Sequence, residues 1–378
     1  MRSKKRSFIL LQGPIGPFFK DLADHLMREG HMTTKINFFG GDDAFFPEGK
    51  PFTDKASQWP SFFINECKHN SATDVIMFSD RRELHEMAIE AISAASLNIR
   101  IWVFEEGYFR PNWITMDQYG INYRSHLPQS KDGLMTATNG QYIAQTAQEK
   151  MAPWIPSAKP MFVKYSGFAT FQQRKHPHFN YHRRESWADE LLGWTTMSMR
   201  ESLTGGTAED LNIFRNGEGD HFLLTLQLEG DFQIREYSPK YKTMSDVIKR
   251  VCHSFRKNAS DSDRLVIKAH PYEYNWAAQN KLVQKLRKEY DLGDRLLFIN
   301  KCPMGDVLKG CKGMITVNST SAFSAMEHQV PVKALGQAFW NYAPLTNVDV
   351  PLGEFWKTPK PPDAEIFKLF KSHTIEKT

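Results

Sequence analysis

The chain has 378 residues, of which 41% are hydrophobic and 24% charged, a balance that excludes a disordered or fibrous chain and leaves room for two domains with real cores. Its net charge of +5 is too small for a dedicated nucleic-acid binder. Four scattered cysteines without C-x-x-C spacing (Cys67, Cys252, Cys302 and Cys311) argue against a disulfide framework or a zinc site and fit a reducing cytoplasm.

After a basic start, the apolar run Phe8–Leu11 is too short for a signal segment or a membrane span. It predicts a first buried strand, Ser7–Leu11, followed by the loop Gln12-Gly13-Pro14-Ile15-Gly16-Pro17. Phe18–Glu29 has helical spacing, with Phe18, Leu22 and Leu26 beside Phe19 and Ala23, and Gly30 is its stop. Strands are expected at Thr33–Phe38, Asp74–Phe78 and Ile99–Phe104, with a helix at Leu84–Ala95. The fourth strand ends at two adjacent acids, Glu105 and Glu106. This alternation with short connections predicts a parallel sheet covered on both faces. Residues 125–210 are rich in Pro, Gln, His and aromatics and have weak periodicity. Helices over Gln141–Met151 and Glu185–Ser198 are expected there, in a segment that serves as an acceptor-binding insertion and linker.

A second alternating block follows. It has strands at His221–Leu226, Arg264–Ala269, Arg295–Ile299, Gly313–Val317 and Val330–Leu335, and helices at Met244–Lys257, Asn275–Glu289 and Ser321–His328. The fold class is therefore α/β, with two Rossmann-type domains facing a central cleft. The expected division is 1–210, 211–345 and a C-terminal tail, 346–378, crossing back toward the first domain. No stretch is long enough to cross a bilayer, so membrane association would be peripheral. Basic runs at Arg2-Lys4-Lys5-Arg6, Gln173-Arg174-Lys175-His176 and His182-Arg183-Arg184 read either as solvated faces or as contacts with anionic headgroups or substrate.

Ligands of parallel sheets bind at the carboxyl ends of the strands. Five polar clusters stand at such positions. The first is Gln12-Gly13. In Glu105-Glu106-Gly107 the glycine permits a turn and a close ligand approach, and only one acid need face a cleft; the other can accept loop hydrogen bonds or pair with Arg110. An ionised carboxylate facing an anomeric carbon can act as nucleophile, giving a covalent intermediate and net retention. Gln227, Glu229 and Asp231 recur at every second position, as acceptors for sugar or ribose hydroxyls or as one acid or base. Lys268 and His270 lie on one side of an extended chain, and Pro271 ends the strand; the pair suits a departing phosphodiester. Asn318-Ser319-Thr320-Ser321 leads into a helix, which reads as plain capping or as an anion site.

In order and spacing, Glu105-Glu106-Gly107-Tyr108-Phe109-Arg110, Gln227-Leu228-Glu229-Gly230-Asp231, Lys268-Ala269-His270-Pro271 and Asn318-Ser319-Thr320-Ser321 resemble the capsule polysaccharide biosynthesis family, and within it the single-module KpsS/LipB type. The similarity runs from "LLQGPIGPFF" to "FWNYAPLT". The resemblance implies a GT-B-like fold and a retaining β-Kdo transferase that uses CMP-Kdo. It implies transfer to a phosphatidylglycerol-type lipid at the cytoplasmic face of the inner membrane, with a KpsC-type transferase as partner. By the same resemblance, Glu106 occupies the nucleophile's place in a motif that reads Glu-Asp-Gly in relatives, with Glu105 as the alternative. His270 and Ser319 match CMP-phosphate contacts, and Gln227 and Asp231 a Gln-x-x-x-Asp pattern. On this reading Lys268, Asn318, Thr320 and Ser321 complete the donor site, and Gln12, Gly13, Gly107, Tyr108, Phe109, Arg110 and Trp113 the acceptor side. No cofactor or metal is expected; Asp261-Ser262-Asp263 precedes its strand and reads as a solvated loop. The rival expectations are a non-catalytic capsule export or assembly protein, and a transferase using another nucleotide sugar.

Overall fold

The computed structural model describes residues 5–109, 113–118, 120–142, 158–179, 207–217, 220–229, 234, 237–273, 275–300 and 302–378. The described residues of Met1–His126 and Thr146–Leu191, with Thr378, form one compact unit, and those of Leu127–Gln145 and Leu192–Lys377 form another. The expected helix Glu185–Ser198 lies outside the described residues, as does Gln141–Met151 except for its first two positions.

The first unit is built on six strands: β1 (Ser7–Leu10), β2 (Met32–Asn37), β3 (Lys50–Pro51), β4 (Asp74–Phe78), β5 (Arg100–Glu106) and β6 (Ile114–Gln118). Their order is β3-β2-β1-β4-β5-β6, and all neighbours run parallel except the antiparallel edge pair β5–β6. Side chains alternate across a strand, and both faces are buried. Ile9, Leu11, Val75, Met77, Ile101 and Val103 share one core with Trp59, Phe63, Ala88 and Ile92 from the helices Trp59–His69 and Glu83–Ala94. On the other face, Phe8, Leu10, Ile76 and Phe104 pack under Phe19 and Ala23 of the helix Phe18–Arg28. That helix stops where Gly30 takes φ +86°, a conformation open to glycine, and its N–H returns to the Met27 carbonyl at 3.0 Å.

Two expectations need correction here. The strand expected to end before the acids runs through both of them, because β6 folds back and pairs Glu105 with Thr115 and Glu106 with Ile114. The N-terminal basic run is not wholly a solvated face either. Arg6 donates from Nε to Asp74 at 2.7 Å and from Nη2 to the same carboxylate. Burial alone would push the Asp74 carboxyl up, but hydrogen bonds from Arg6, Thr73 and the Trp102 indole hold it down at about 2.

The second unit carries β7 (His221–Thr225), β8 (Arg264–Lys268), β9 (Leu296–Ile299), β10 (Cys311–Thr316) and β11 (Val332–Ala334). They form a fully parallel sheet in the order β11-β10-β7-β8-β9. Phe222, Leu224, Leu265, Ile267, Leu296 and Phe298 fill one face under the helices Met244–Asn258 and Trp276–Glu289. The first of these helices is set by Thr243, whose hydroxyl accepts from the Asp246 N–H at 3.1 Å. A C-terminal helix, Ala364–Lys377, packs Phe370 against Phe323 and Phe339 of the same unit. The Asp261-Ser262-Asp263 loop is solvated only in part. Asp261 is exposed, but Asp263 is buried and accepts from Lys312 Nζ at 2.6 Å and from the Ser260 N–H at 3.0 Å.

Candidate sites at the carboxyl ends of the two sheets

Each sheet has one place where consecutive crossovers turn opposite ways, and there the loops part to leave a crevice. In the second sheet it lies between β7 and β10, since the chain builds β8 and β9 to one side of β7 before returning to lay β10 on the other. The loops that meet there begin at Leu226 and Val317, and they carry Gln227 and the Asn318–Ser321 run.

Gln227 and Asn318 are buried and clasp each other. Gln227 Nε2 donates to Asn318 Oδ1 at 3.0 Å, and the Asn318 N–H donates to Gln227 Oε1 at 3.1 Å. Asn318 Nδ2 also donates to the Gln337 carbonyl at 3.3 Å. This double clasp fixes the separation of the two strand ends. Beside it, hydroxyls gather: Ser321 Oγ donates to Ser319 Oγ at 2.9 Å, and Thr225 Oγ1 lies 3.5 Å from Ser321 Oγ. Thr320, at the helix N-cap, makes no capping bond; the Ser321 N–H goes to Ser319 Oγ at 3.2 Å. The helix itself, Ser321–Glu327, has only seven residues.

Lys268 ends β8 directly opposite Thr225, and parallel partners in register share a face of the sheet. The hydroxyl group of Thr225 reaches Ser321, so Lys268 lies on the face that carries the serines. It is 6% exposed, and among the described residues no carboxylate pairs with it. Burial pushes its pKa down, and the Cys302 thiol offsets this only in part. An ammonium buried beside hydroxyls without a counter-charge is costly to keep, and an anion at that spot removes the cost.

The next loop holds His270, Pro271, Tyr272 and Glu273. His270 is half-buried, and its Nδ1 accepts from the Tyr272 N–H at 3.2 Å. In the neutral ring that places the proton on Nε2, a donor suited to a phosphate oxygen. Pro271 is exposed and turns the chain. Glu229 has fold work of its own: its carboxylate accepts from the Met244 N–H at 3.1 and 3.3 Å, at the start of the helix Met244–Asn258. Its own N–H donates to Glu273 Oε2 at 3.1 Å. Asp231 lies outside the described residues.

In the first sheet the order reverses between β1 and β4, so the crevice rule points to the loops after Leu10 and Phe78. Gln12 is buried, and its carbonyl accepts from the Phe78 N–H at 3.1 Å. Arg82 Nη1 donates to the Gly13 carbonyl at 3.2 Å, tying the two loops together. Gly13 is needed because a Cβ there would sit 2.9 Å from the Phe19 ring.

Glu105 and Glu106 stand one strand further along. They point to opposite faces of β5, Glu105 half-buried and Glu106 exposed, and the Glu106 N–H donates to Glu105 Oε1 at 3.1 Å. The hairpin beyond is packed tightly: a Cβ on Gly107 would come within 1.9 Å of the Trp113 carbonyl oxygen. Tyr108 is buried, its N–H donating to Thr115 Oγ1 at 3.2 Å and its hydroxyl accepting from the Asn122 N–H at 2.7 Å. Burial raises its phenol pKa well above the ordinary value. Phe109 is buried too, whereas Trp113 is exposed; Arg110 lies outside the described residues.

One residue at the first switch point escaped the sequence reading. Asp80, in the loop after β4, is 1% exposed, and among the described residues neither carboxylate oxygen has a well-formed hydrogen-bond partner. Burial lifts its pKa to about 6, offset only in part by Arg124, Arg81 and nearby backbone N–H groups. Ser79 donates its N–H to the Phe104 carbonyl at 2.9 Å, so this loop runs beside the Glu105–Glu106 strand end. The available signal was positional: "FSDRREL" follows a parallel strand, as the other clusters do.

Residues 73–378 match the family described as capsule polysaccharide biosynthesis protein. The chain is 29% identical to the "capsule polysaccharide export protein KpsS" of Escherichia coli, over 99% of this chain and 95% of that protein. It is 30% identical to the "capsule polysaccharide modification protein LipB" of Neisseria meningitidis serogroup B, over 98% of this chain and 90% of that protein. Among solved structures, KpsC of Thermosulfurimonas dismutans, described as a beta Kdo 2,7 transferase, is 13% identical over 97% of this chain and 90% of that one, with a TM-score of 0.45.

Proposed function

The chain belongs to the capsule polysaccharide biosynthesis family, and from that premise we propose that it is a retaining β-Kdo transferase that moves Kdo from CMP-Kdo to a phosphatidylglycerol-type lipid. The observation that carries the donor half of this reading is Lys268, a buried cation paired in register with Thr225, for which the described residues offer no acid as partner. A nucleoside monophosphate sugar has a single phosphate, and one ammonium, one imidazole N–H and two serine hydroxyls suit that charge. Lys268, His270, Ser319 and Ser321 bind the phosphate and stabilise it as it leaves; Gln227 and Asn318 keep the crevice open at fixed width.

The family resemblance, rather than any placement of the two units, assigns the other half to Glu106. Glu106, exposed on its strand face, attacks the anomeric carbon; the C–O bond to CMP breaks and CMP departs with the electron pair. The acceptor hydroxyl then attacks that carbon from the vacated side, its proton passing to a base, and the Glu106 carboxylate is released. Two inversions give net retention. Glu105, bonded to the Glu106 N–H, fixes the strand end.

The test is incubation with CMP-Kdo and a fluorescent phosphatidylglycerol analogue. A mass gain of one Kdo is expected, with CMP stabilising the protein against heat more than UDP does. CMP binding without transfer to any lipid acceptor would replace this reading with the export role in the name of the E. coli relative. A preference for UDP would point to another nucleotide sugar.

A further inference from the structure

Among the described residues, the helix Ala158–Phe171 packs on the first unit by one face. Tyr165, Ser166 and Ala169 are buried, and the contact with the short helix Gly40–Phe45 is so close that a Cβ on Gly40 would lie 2.1 Å from the Phe168 carbonyl oxygen. Apolar side chains are exposed outside that contact and, with Phe168, at its edge. Val163 is 62% exposed, Phe168 38% and Phe171 87%. A soluble helix turns its polar side to water, and a phenylalanine left almost fully open needs an occupant.

Charge decides which occupant. Residues 158–175 contain four cations, Lys159, Lys164, Arg174 and Lys175, and no carboxylate. Arg174 and Lys175 are exposed just beyond Phe171. Lys164 is exposed on the same helix, and its ammonium lies 4.8 Å from the Phe45 ring centroid. Apolar tips rimmed by cations, on a convex helix rather than in a groove, match the boundary between acyl chains and anionic headgroups. Position agrees. The glycine loop after β1 meets this helix, a Cβ on Gly16 falling 3.2 Å from Met161 Sδ, and it exposes Ile15 alongside. The helix therefore sits at the carboxyl end of the first sheet, the end that bears Gln12 and the two acids.

We propose that the outer face of the helix Ala158–Phe171, with Ile15 and the cations Arg174 and Lys175, is the surface by which this protein docks on an anionic lipid bilayer. The inference deepens the transferase reading, because it brings headgroups to the end of the sheet where the acids stand.

The test uses the full chain and sedimentation with two kinds of vesicle, phosphatidylcholine alone and phosphatidylcholine with phosphatidylglycerol. The wild type should partition onto the phosphatidylglycerol vesicles, and added salt should weaken this. Phe171→Asp should lower partitioning about tenfold or more, since a phenyl ring that enters the bilayer is replaced by a charge. Arg174→Glu with Lys175→Glu should abolish the preference for phosphatidylglycerol. Thermal melts check that both variants fold, as Phe171 has few native contacts to lose. Unchanged partitioning of Phe171→Asp would overturn the proposal. So would a wild-type dimer that Phe171→Asp converts to monomer, because a second copy would then cover this face. Kdo transfer to short-chain, detergent-dispersed phosphatidylglycerol should be equal in wild type and Phe171→Asp. If neither transfers, the transferase reading fails while the vesicle result still judges the docking face.

Discussion

Asp80→Asn isolates the cost of a buried charge at the first switch point. In the folded chain the Asp80 carboxyl titrates at about 6 against an ordinary value of 3.8. A gap of about two units, at about 1.36 kcal/mol each, is roughly 3 kcal/mol. The folded pKa lies above the unfolded one, so ionisation favours unfolding. Stability is full below about pH 4 and declines as pH rises through about 6. Asparagine cannot ionise, and the decline disappears with it. Its buried amide lacks partners as well and costs about 1–3 kcal/mol at every pH, so the slope is diagnostic rather than the absolute stability. Urea titrations of both proteins at about pH 5 and about pH 8 measure it. The wild type should lose on the order of 1–1.5 kcal/mol more than the variant over that interval, about half of the full effect, because the rest is already lost between about pH 4 and about pH 5. Parallel curves would refute the argument and mean that Asp80 meets a donor or water that keeps its charge comfortable.

The reaction halves separate by variant. Glu106→Gln should abolish Kdo transfer and leave CMP binding within about twofold, because the two live on different elements; full turnover would remove Glu106 from the chemistry. Lys268→Met should weaken CMP about tenfold or more in calorimetric titration, the loss expected for a charged hydrogen bond, without lowering the stability of the ligand-free protein. Unchanged affinity would place the phosphate elsewhere. His270→Ala should weaken CMP and slow its departure, which stopped-flow measurement of CMP release would detect. Gly107→Ala should cost about 1–3 kcal/mol in thermal or urea unfolding, since the new methyl group collides with the Trp113 carbonyl; a neutral result would mean that the hairpin yields.

Alternating apolar strands and helices were legible because burial on both faces writes itself into composition. β4 spans Asp74–Phe78 as expected, and most strand ends move by one or two residues. The β5–β6 hairpin was not legible. Ile114–Gln118 alternates like an exposed edge, and only the pairing of Glu106 with Ile114 tells that the acids continue a strand. Roles within the clusters were harder still. Gln227 and Glu229 look alike in sequence, yet one clasps Asn318 across the crevice and the other accepts the first N–H of a helix. His176 stands in a basic run that reads as surface, but it is buried with Nε2 3.0 Å from Asp43. A run of like residues does not reveal which member the fold consumes.

The two halves of the candidate chemistry rest on different physical footing. Glu106 is exposed, and an exposed acid costs almost nothing to keep; its position alone is weak evidence of use. Lys268 is different, since a buried ammonium with no carboxylate partner among the described residues lowers stability in the ligand-free protein. If that cost is the reason for the hydroxyls around it, CMP binding should raise the melting temperature of the wild type far more than that of Lys268→Met. Without CMP the order should reverse, with the variant melting at or above the wild type. A structural lysine held by its surroundings would give the opposite ligand-free order, so one pair of melts separates a phosphate site from a satisfied core.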